Sequence, residues 1–315
     1  MAGRILVIRG GAIGDFILTL PAIGLLRESF PEAHIEILGY RHIASLAEQR
    51  YYADATRSIE YGPLAGFFNP KSDLDSDLSE YFAGFHQVIS YIYDPDQLFE
   101  TSLRKAGVKN LISVSPKIGD ADHAARQLAQ PLQQMALWLE DPAAEFFPSP
   151  EDLAIAKQWV ESQQDSRVLA VHPGSGGERK NWPLPAWQEF LAAEHRTGRW
   201  DKILVVGGES DTPRLAALRS SLPSEGMTFL EGISLPVLGA VLGRSSLFVG
   251  HDSGISHLAA AAGANCLLMF GPTDPQIWAP ANDHVSVITA PGGDLSALDV
   301  AAVRRRVDEI LQDVR

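Results

Sequence analysis

Runs of aliphatic and β-branched residues return at short intervals along the chain, and nearly every one passes through a polar or glycine-rich turn into a helical pattern. RILVIR (4–9) leads into the helical DFILTLPAIGLLRESF, where Pro21 is expected to bend the axis, and HIEIL reads as the next strand. QVISYIY and NLISV continue the series, followed by a helix over roughly Ala124 to Leu139. EDPAAEFFPSPED, rich in proline and acid, reads as an interdomain linker, with Pro150 and Glu151 opening the helix EDLAIAKQWVESQ. A second series then alternates the strands RVLAVH, KILVVGG, LFVG and NCLLMFG with the helices PAWQEFLAAEH, DTPRLAALRSSL and GISHLAAAA. Strands that are apolar without alternation are buried on both faces, and their alternation with helices implies parallel sheets covered on both sides. The expected protein is α/β, with two Rossmann-like, doubly wound parallel-sheet domains facing a central cleft. The first spans 1–148 and the second 149–315, and the last helix, about 297–314, is expected to pack back toward the first domain. Tyr61 to Gly84 has little periodicity and reads as a long mobile loop.

Charge and composition exclude several functions. The 315 residues carry 39 acidic against 26 basic side chains, a net charge of −13, which argues against any wrapping of nucleic acid. An anionic small molecule held in one local basic pocket stays open. The single cysteine, Cys266, lies in the strand-like ANCLLMF and reads as a small core residue in a reducing, cytoplasmic setting. Phe16 to Leu26 is apolar but well short of the roughly 20 residues a membrane span requires. Asp15 and Arg27 bracket it and no small-residue cleavage site follows a basic start, so neither signal peptide nor span is expected. The protein is expected to be soluble, or at most attached to a membrane surface.

The polar strand ends carry the chemistry. Gly10, Gly11 and Gly14 between the first strand and helix match neither the G-x-G-x-x-G fingerprint nor a P-loop. They permit a tight backbone and close approach of another molecule. Asp15 falls at the helix start, either as a simple N-cap or as a working carboxylate where parallel sheets bind ligands. In AVHPGSGGERKNWP, Gly174, Ser175, Gly176 and Gly177 would expose N–H groups and Lys180 a cation, suited to a diphosphate or merely a solvated turn. In LFVGHDSGISHLAAAAGA, Asp252, Ser253 and Gly254 cap a small-residue helix whose N-terminus is a ready phosphate site, with His257 on its first turn. G-x-x-S-G misplaces Ser253 for a nucleophile elbow, and His251, Asp252 and His257 lack zinc-helix spacing, so no metal is expected. Thr273 and Asp274 in GPTDP, and Glu209 and Asp211 behind VVGG, read as turn and capping residues or as lining of the same cleft, one carboxylate meeting a ribose.

Taken together, ILVIRGGAIGDFILTLPAI, HAARQLAQPL, HPGSGGERKNWPLPAW, VVGGESD, DSGISHLAAAAG and GPTDP resemble glycosyltransferase family 9, which contains the lipopolysaccharide heptosyltransferases. The resemblance spans nearly the whole chain. It implies a two-domain GT-B fold and an inverting, metal-independent, cofactor-free transfer from a nucleotide-diphosphate sugar, typically ADP-heptose, to a glycan or glycolipid at the inner membrane face. In that resemblance Asp15 matches the general base and Lys180 the lysine on the donor phosphates. Ser175 and Gly176 fall in the adjoining donor loop. Asp252, Ser253, Gly254 and His257 match the diphosphate and sugar segment, with Thr273 and Asp274 nearby. Glu209 or Asp211 stands where the family often has a ribose-binding glutamate, and which of them meets the ribose stays open. One departure bears on the acceptor: residues 1–150 hold 12 basic against 19 acidic residues, and NPKSDLDSDLSEYF is acidic. A strongly anionic lipid acceptor fits that balance less well than another glycan or a protein side chain. The alternatives are an epimerase or hydrolase on the same architecture, or a non-catalytic nucleotide-sugar-binding subunit.

Overall fold

The computed structural model describes residues 3–160 and 167–313. The chain forms two compact units, Met1–Pro142 and Ala143–Arg315. In the first, β1 (Arg4–Arg9), β2 (His34–Gly39), β3 (Ala55–Ser58), β4 (Gln87–Ser90) and β5 (Leu111–Ser113) pair in parallel in the order β3-β2-β1-β4-β5. The order reverses between β1 and β4, so a crevice opens beyond their carboxyl ends. The helix Ile13–Ser29 leaves β1 and runs on past Pro21. Burial of every residue from Phe16 to Gly24 outweighs the one backbone hydrogen bond that proline removes.

Two local expectations fail here. Tyr61–Gly84 is not a structureless loop: it contains a 3₁₀ helix over Gly62–Phe68 and an α-helix over Ser76–Ala83. Leu64, Phe67, Leu78 and Phe82 from it are buried against Leu6, Ile8 and Val88 of the sheet. The segment is too short in each turn to show a period, and its order comes from tertiary packing. The helix expected over Ala124 to Leu139 ends at Ala129 and tightens into a 3₁₀ helix over Gln130–Met135, because Pro131 cannot continue the α-helical ladder.

The second unit holds β6 (Val168–Val171), β7 (Lys202–Gly207), β8 (Met227–Glu231), β9 (Leu247–His251), β10 (Cys266–Phe270) and β11 (Val285–Thr289). All are parallel, in the order β11-β10-β9-β6-β7-β8, with the reversal between β6 and β9. The proline- and acid-rich stretch contributes to this unit: Ala144 and Phe146 are buried, and Phe146 N–H donates to Ala261 O at 2.7 Å. The helix that follows spans Pro150–Ala156; its expected continuation reaches residues 161–163, which lie outside the described residues. Val314, expected to end the last helix, also lies outside them. Among the described residues no helix is long and apolar enough to cross a membrane.

The final helix, Val300–Asp313, seats Val303, Val307 and Ile310 in the core of this unit, with Trp182, Trp187 and Phe190. A charged clamp fixes it. Glu194, on the helix Leu184–Arg196, is fully buried; its Oε1 accepts Arg304 Nε at 3.0 Å, and its Oε2 accepts Arg199 Nε at 2.9 Å and Trp200 Nε1 at 2.8 Å. Arg199 also pairs with Asp308. Removing the buried partner leaves these donors without their anion. Glu194→Ala is expected to lose about 2–4 kcal/mol in urea melts, with Glu194→Gln intermediate. A loss below about 0.5 kcal/mol, the range of ordinary surface substitutions, would show that the clamp contributes nothing.

Candidate functional site

In the first unit β1 ends at Arg9, and the chain turns through Gly10 and Gly11 into the Ile13–Ser29 helix. Gly11 has φ +95°, and a Cβ there would lie 2.9 Å from Asp15 Oδ2, so glycine is required on both counts. Gly10 and Gly14 have ordinary backbones. Asp15 is not the N-cap; Ala12 is, and Asp15 occupies the third helical position. Its Oδ2 accepts Ala12 N–H at 2.9 Å, which is half of a capping box. Oδ1 accepts no hydrogen bond from the described residues, and Arg9 Nη2 stands off from it at 3.7 Å. The side chain is 39% exposed and lines a cavity of about 560 Å³ together with Tyr40, Glu60, Phe68, Tyr91 and Tyr93.

Beneath it lies Arg9, 3% exposed. Arg9 Nε donates to Thr19 Oγ1 at 2.9 Å and Nη2 to Asp15 O at 3.1 Å, while Thr19 Oγ1 donates to that same carbonyl at 2.7 Å. Burial draws the guanidinium below its ordinary range, opposed by Asp15 and Tyr91. Tyr91, buried and donating to Leu128 O at 2.9 Å, is pushed up by desolvation and stays a phenol. Arg9 has no counterpart among the motif residues noted in the sequence, yet a charge closing an otherwise aliphatic strand is the signal that could have found it.

In the second unit the strand ends converge as expected, but the side chains are more interlocked. Lys180 Nζ pairs with Asp252 Oδ2 at 2.7 Å, and Thr273 Oγ1 donates to the same oxygen at 2.8 Å. Ser253 is the N-cap of the helix Gly254–Ala261 and accepts Ser256 N–H at 3.3 Å. His257 is buried on that helix's first turn. Asp211 is buried; its Oδ2 accepts Gly208 N–H at 2.9 Å and meets His172 Nε2 at 3.2 Å. Burial alone would raise its pKa, but His172, the Gly208 N–H and Arg214 hold it below the ordinary carboxylate range. That Gly208 N–H contact is half of a capping box on the 3₁₀ helix Glu209–Asp211, while the side chain makes no cap on the following helix Thr212–Ser221. Glu209 is exposed, as is Gly176. Ser175 Oγ folds onto its own loop, donating to Gly177 O at 2.9 Å. Asp274 is exposed and caps the short helix Pro275–Trp278 through Gln276 N–H at 2.9 Å, a turn role.

His172 is the residue that motif matching overlooks. It follows β6 directly, and its Nδ1 meets Ser253 Oγ at 3.2 Å, so one imidazole ties the ends of β6, β7 and β9 together. Gly174 completes the fit: a Cβ there would sit 1.8 Å from Asp211 Oδ1. Among the described residues no three His, Cys, Asp or Glu side chains gather in a metal-binding group.

His251, fully buried at the end of β9, accepts Trp182 N–H at Nε2, 2.9 Å away, so its proton lies on Nδ1 and faces Gly174 O at 3.4 Å. Burial, reinforced by His172, pushes its pKa down to about 3. The unfolded chain therefore binds a proton that the folded chain refuses. The stability this neutral imidazole contributes is complete above its ordinary value near 6.5 and declines as the pH falls toward about 3. Wild-type protein is expected to lose about 2 kcal/mol more than His251→Gln between pH 7 and pH 5 in urea titrations. Equal losses would show that His251 is not held neutral by the fold.

Residues 110–299 match the family model of glycosyltransferase family 9 (heptosyltransferase). Lipopolysaccharide heptosyltransferase 3 of Escherichia coli is 23% identical, over 95% of this chain and 96% of its own. Lipopolysaccharide heptosyltransferase 1 of Pseudomonas aeruginosa is 24% identical over 86% of this chain and 79% of its own. A glycosyltransferase family 9 structure from Veillonella parvula superposes with a TM-score of 0.82 at 18% identity, covering 99% of this chain and 98% of that one. E. coli ADP-heptose lipopolysaccharide heptosyltransferase II does so with 0.75 at 16% identity, covering 99% and 100%. These likenesses fix the fold as GT-B, two doubly wound α/β domains. The chain belongs to glycosyltransferase family 9 and is a glycosyltransferase.

Proposed function

We propose that this enzyme moves a heptose, with inversion, from a nucleoside-diphosphate donor, ADP-heptose, to a hydroxyl of a lipopolysaccharide core or related envelope glycan. Relatives named as lipopolysaccharide heptosyltransferases, and a neighbouring structure described as an E. coli heptosyltransferase with ADP, support the donor and acceptor class. The observation that carries the chemistry is Asp15, a carboxylate with 39% of its side chain exposed just beyond the carboxyl end of β1, whose Oδ1 accepts no hydrogen bond from the described residues.

In this reading the acceptor hydroxyl gives its proton to Asp15 as its oxygen bonds to the anomeric carbon. The bond from that carbon to the diphosphate breaks on the opposite face, and the electron pair leaves on the phosphate oxygen. The leaving group needs compensating charge. Lys180 and the N–H groups at the start of the Gly254–Ala261 helix supply it, with no metal in the scheme. Lys180 is already paired with buried Asp252, so the diphosphate meets a cation whose charge is partly neutralised. That pairing suits a step in which negative charge grows on the departing phosphate rather than one that binds it as tightly as possible.

Asp15→Asn retains an oxygen able to accept the Ala12 N–H, so the helix start survives. Turnover is expected to fall at least about 100-fold with ADP affinity nearly unchanged. Wild-type turnover in this variant would remove Asp15 from the chemistry. Lys180→Ala is expected to weaken ADP binding in calorimetry by about ten-fold or more; an unchanged constant would exclude contact with the phosphates.

A further inference from the structure

The cavity beside Asp15 has a chemistry of its own. It lies wholly within the first unit, and its walls include Tyr40, Phe68 and Tyr93, which keep 36%, 41% and 53% of their surface exposed. Large aromatics left that open on one concave surface bind something apolar-faced. Phe68 stacks on Phe99 at 4.6 Å and 11°, so its ring is held rigid by the core beneath it. Tyr93 is steadied in the same way: Lys117 Nζ lies 4.4 Å over its ring and donates to its hydroxyl at 3.0 Å.

The ionised groups on the cavity wall do not suit an anion. Asp15, Glu60 and the buried Arg9 line it, with Lys117 at its edge on Tyr93; Arg9 is already bonded to Thr19 and the Asp15 carbonyl, and Lys117 to the Tyr93 hydroxyl. A phosphate or carboxylate placed beside Asp15 would meet the carboxylates of Asp15 and Glu60, while the guanidinium of Arg9 is buried and held by other acceptors. A pyranose fits instead. Its C–H faces are apolar and lie flat on aromatic rings, while its hydroxyls reach tyrosine hydroxyls and carboxylates at the edge.

Resting on the assignment of Asp15 as the acceptor-side base, we infer that the acceptor is an uncharged sugar ring seated against Tyr40, Phe68 and Tyr93, and that these three aromatics set acceptor specificity. A phosphorylated or acidic sugar is rejected at this position. The inference concerns the ring that carries the reacting hydroxyl, whatever charge lies farther along the acceptor.

The test separates binding from transfer. Neutral methyl pyranosides, including methyl heptosides, are compared with their uronate and 6-phosphate counterparts by ligand-observed saturation-transfer NMR on the full chain without donor. The expected result is binding of at least one neutral glycoside at least ten-fold tighter than its charged counterpart. Tyr93→Ala and Phe68→Ala should each weaken it about ten-fold, with Tyr93→Phe close to wild type and ADP affinity unchanged in all three. Equal or tighter binding of the charged glycosides, no binding of any neutral glycoside, or alanine variants that bind as wild type would each overturn the inference. Asp15→Asn should keep the neutral-sugar binding. Loss of turnover is then scored apart from it, so an error in the transferase assignment appears as inactivity with ADP-heptose while the sugar preference persists.

Discussion

His172 holds the carboxyl edge of the second unit's sheet in register. Parallel strands send every loop out at the same edge, but nothing in the ladder itself fixes one loop against the next. His172 does so by reaching Asp211 with one ring nitrogen and Ser253 with the other, at 3.2 Å each. Because an ionised carboxylate only accepts, Nε2 must carry a proton toward Asp211. A second imidazole works one layer deeper: His251, neutral and buried, accepts the Trp182 N–H and so ties the far end of the Gly174–Lys180 loop to β9. Two histidines thus turn three flexible strand ends into one surface, and Gly174 is glycine because that surface leaves no room for a Cβ.

In the proposed transfer this rigidity would have a direct use. Preorganised dipoles stabilise developing charge without reorganising at the moment of reaction, and this is commonly the largest catalytic term. Ser253 fixes the start of the Gly254–Ala261 helix by accepting Ser256 N–H, and Thr273 and Lys180 both hold Asp252. The cost is buried polar groups that must all be satisfied, which explains why so many of the second unit's candidate site residues bond to one another.

Much of this was legible from sequence. Uninterrupted aliphatic runs ending in glycine and polar residues report parallel strands, and parallel strands alone predict a shared binding edge, so Lys180, Asp252, Ser253 and Thr273 could be gathered without coordinates. What stayed hidden was long-range pairing. That Asp211 answers to His172 as well as capping its own 3₁₀ turn depends on two strands 30 or more residues apart being neighbours in the sheet, as β6 and β7 are. Phe68 was hidden for another reason: it sits in a seven-residue 3₁₀ helix, too short for hydrophobic periodicity, whose order is imposed by burial of Leu64 and Phe67.

The molecule treats its carboxylates in two ways, and the difference separates the jobs they can do. Asp211 and Asp252 are buried, and on each a single oxygen, Oδ2, takes two partners from its own unit. Such groups orient neighbours, and with 10% and 8% of the side chain exposed, against 39% for Asp15, they offer a substrate hydroxyl little access. Asp15 is the open one: it lines the cavity, with Oδ2 anchored by the Ala12 N–H and Oδ1 accepting no hydrogen bond from the described residues, Arg9 being held back at 3.7 Å. Arg9 is kept at that distance because Thr19 and the Asp15 carbonyl occupy its Nε and Nη2. A guanidinium free to close into a bidentate pair would lock both oxygens and remove the acceptor site. Threonine at position 19, one turn after Asp15 on the same helix, is therefore part of what leaves Asp15 available.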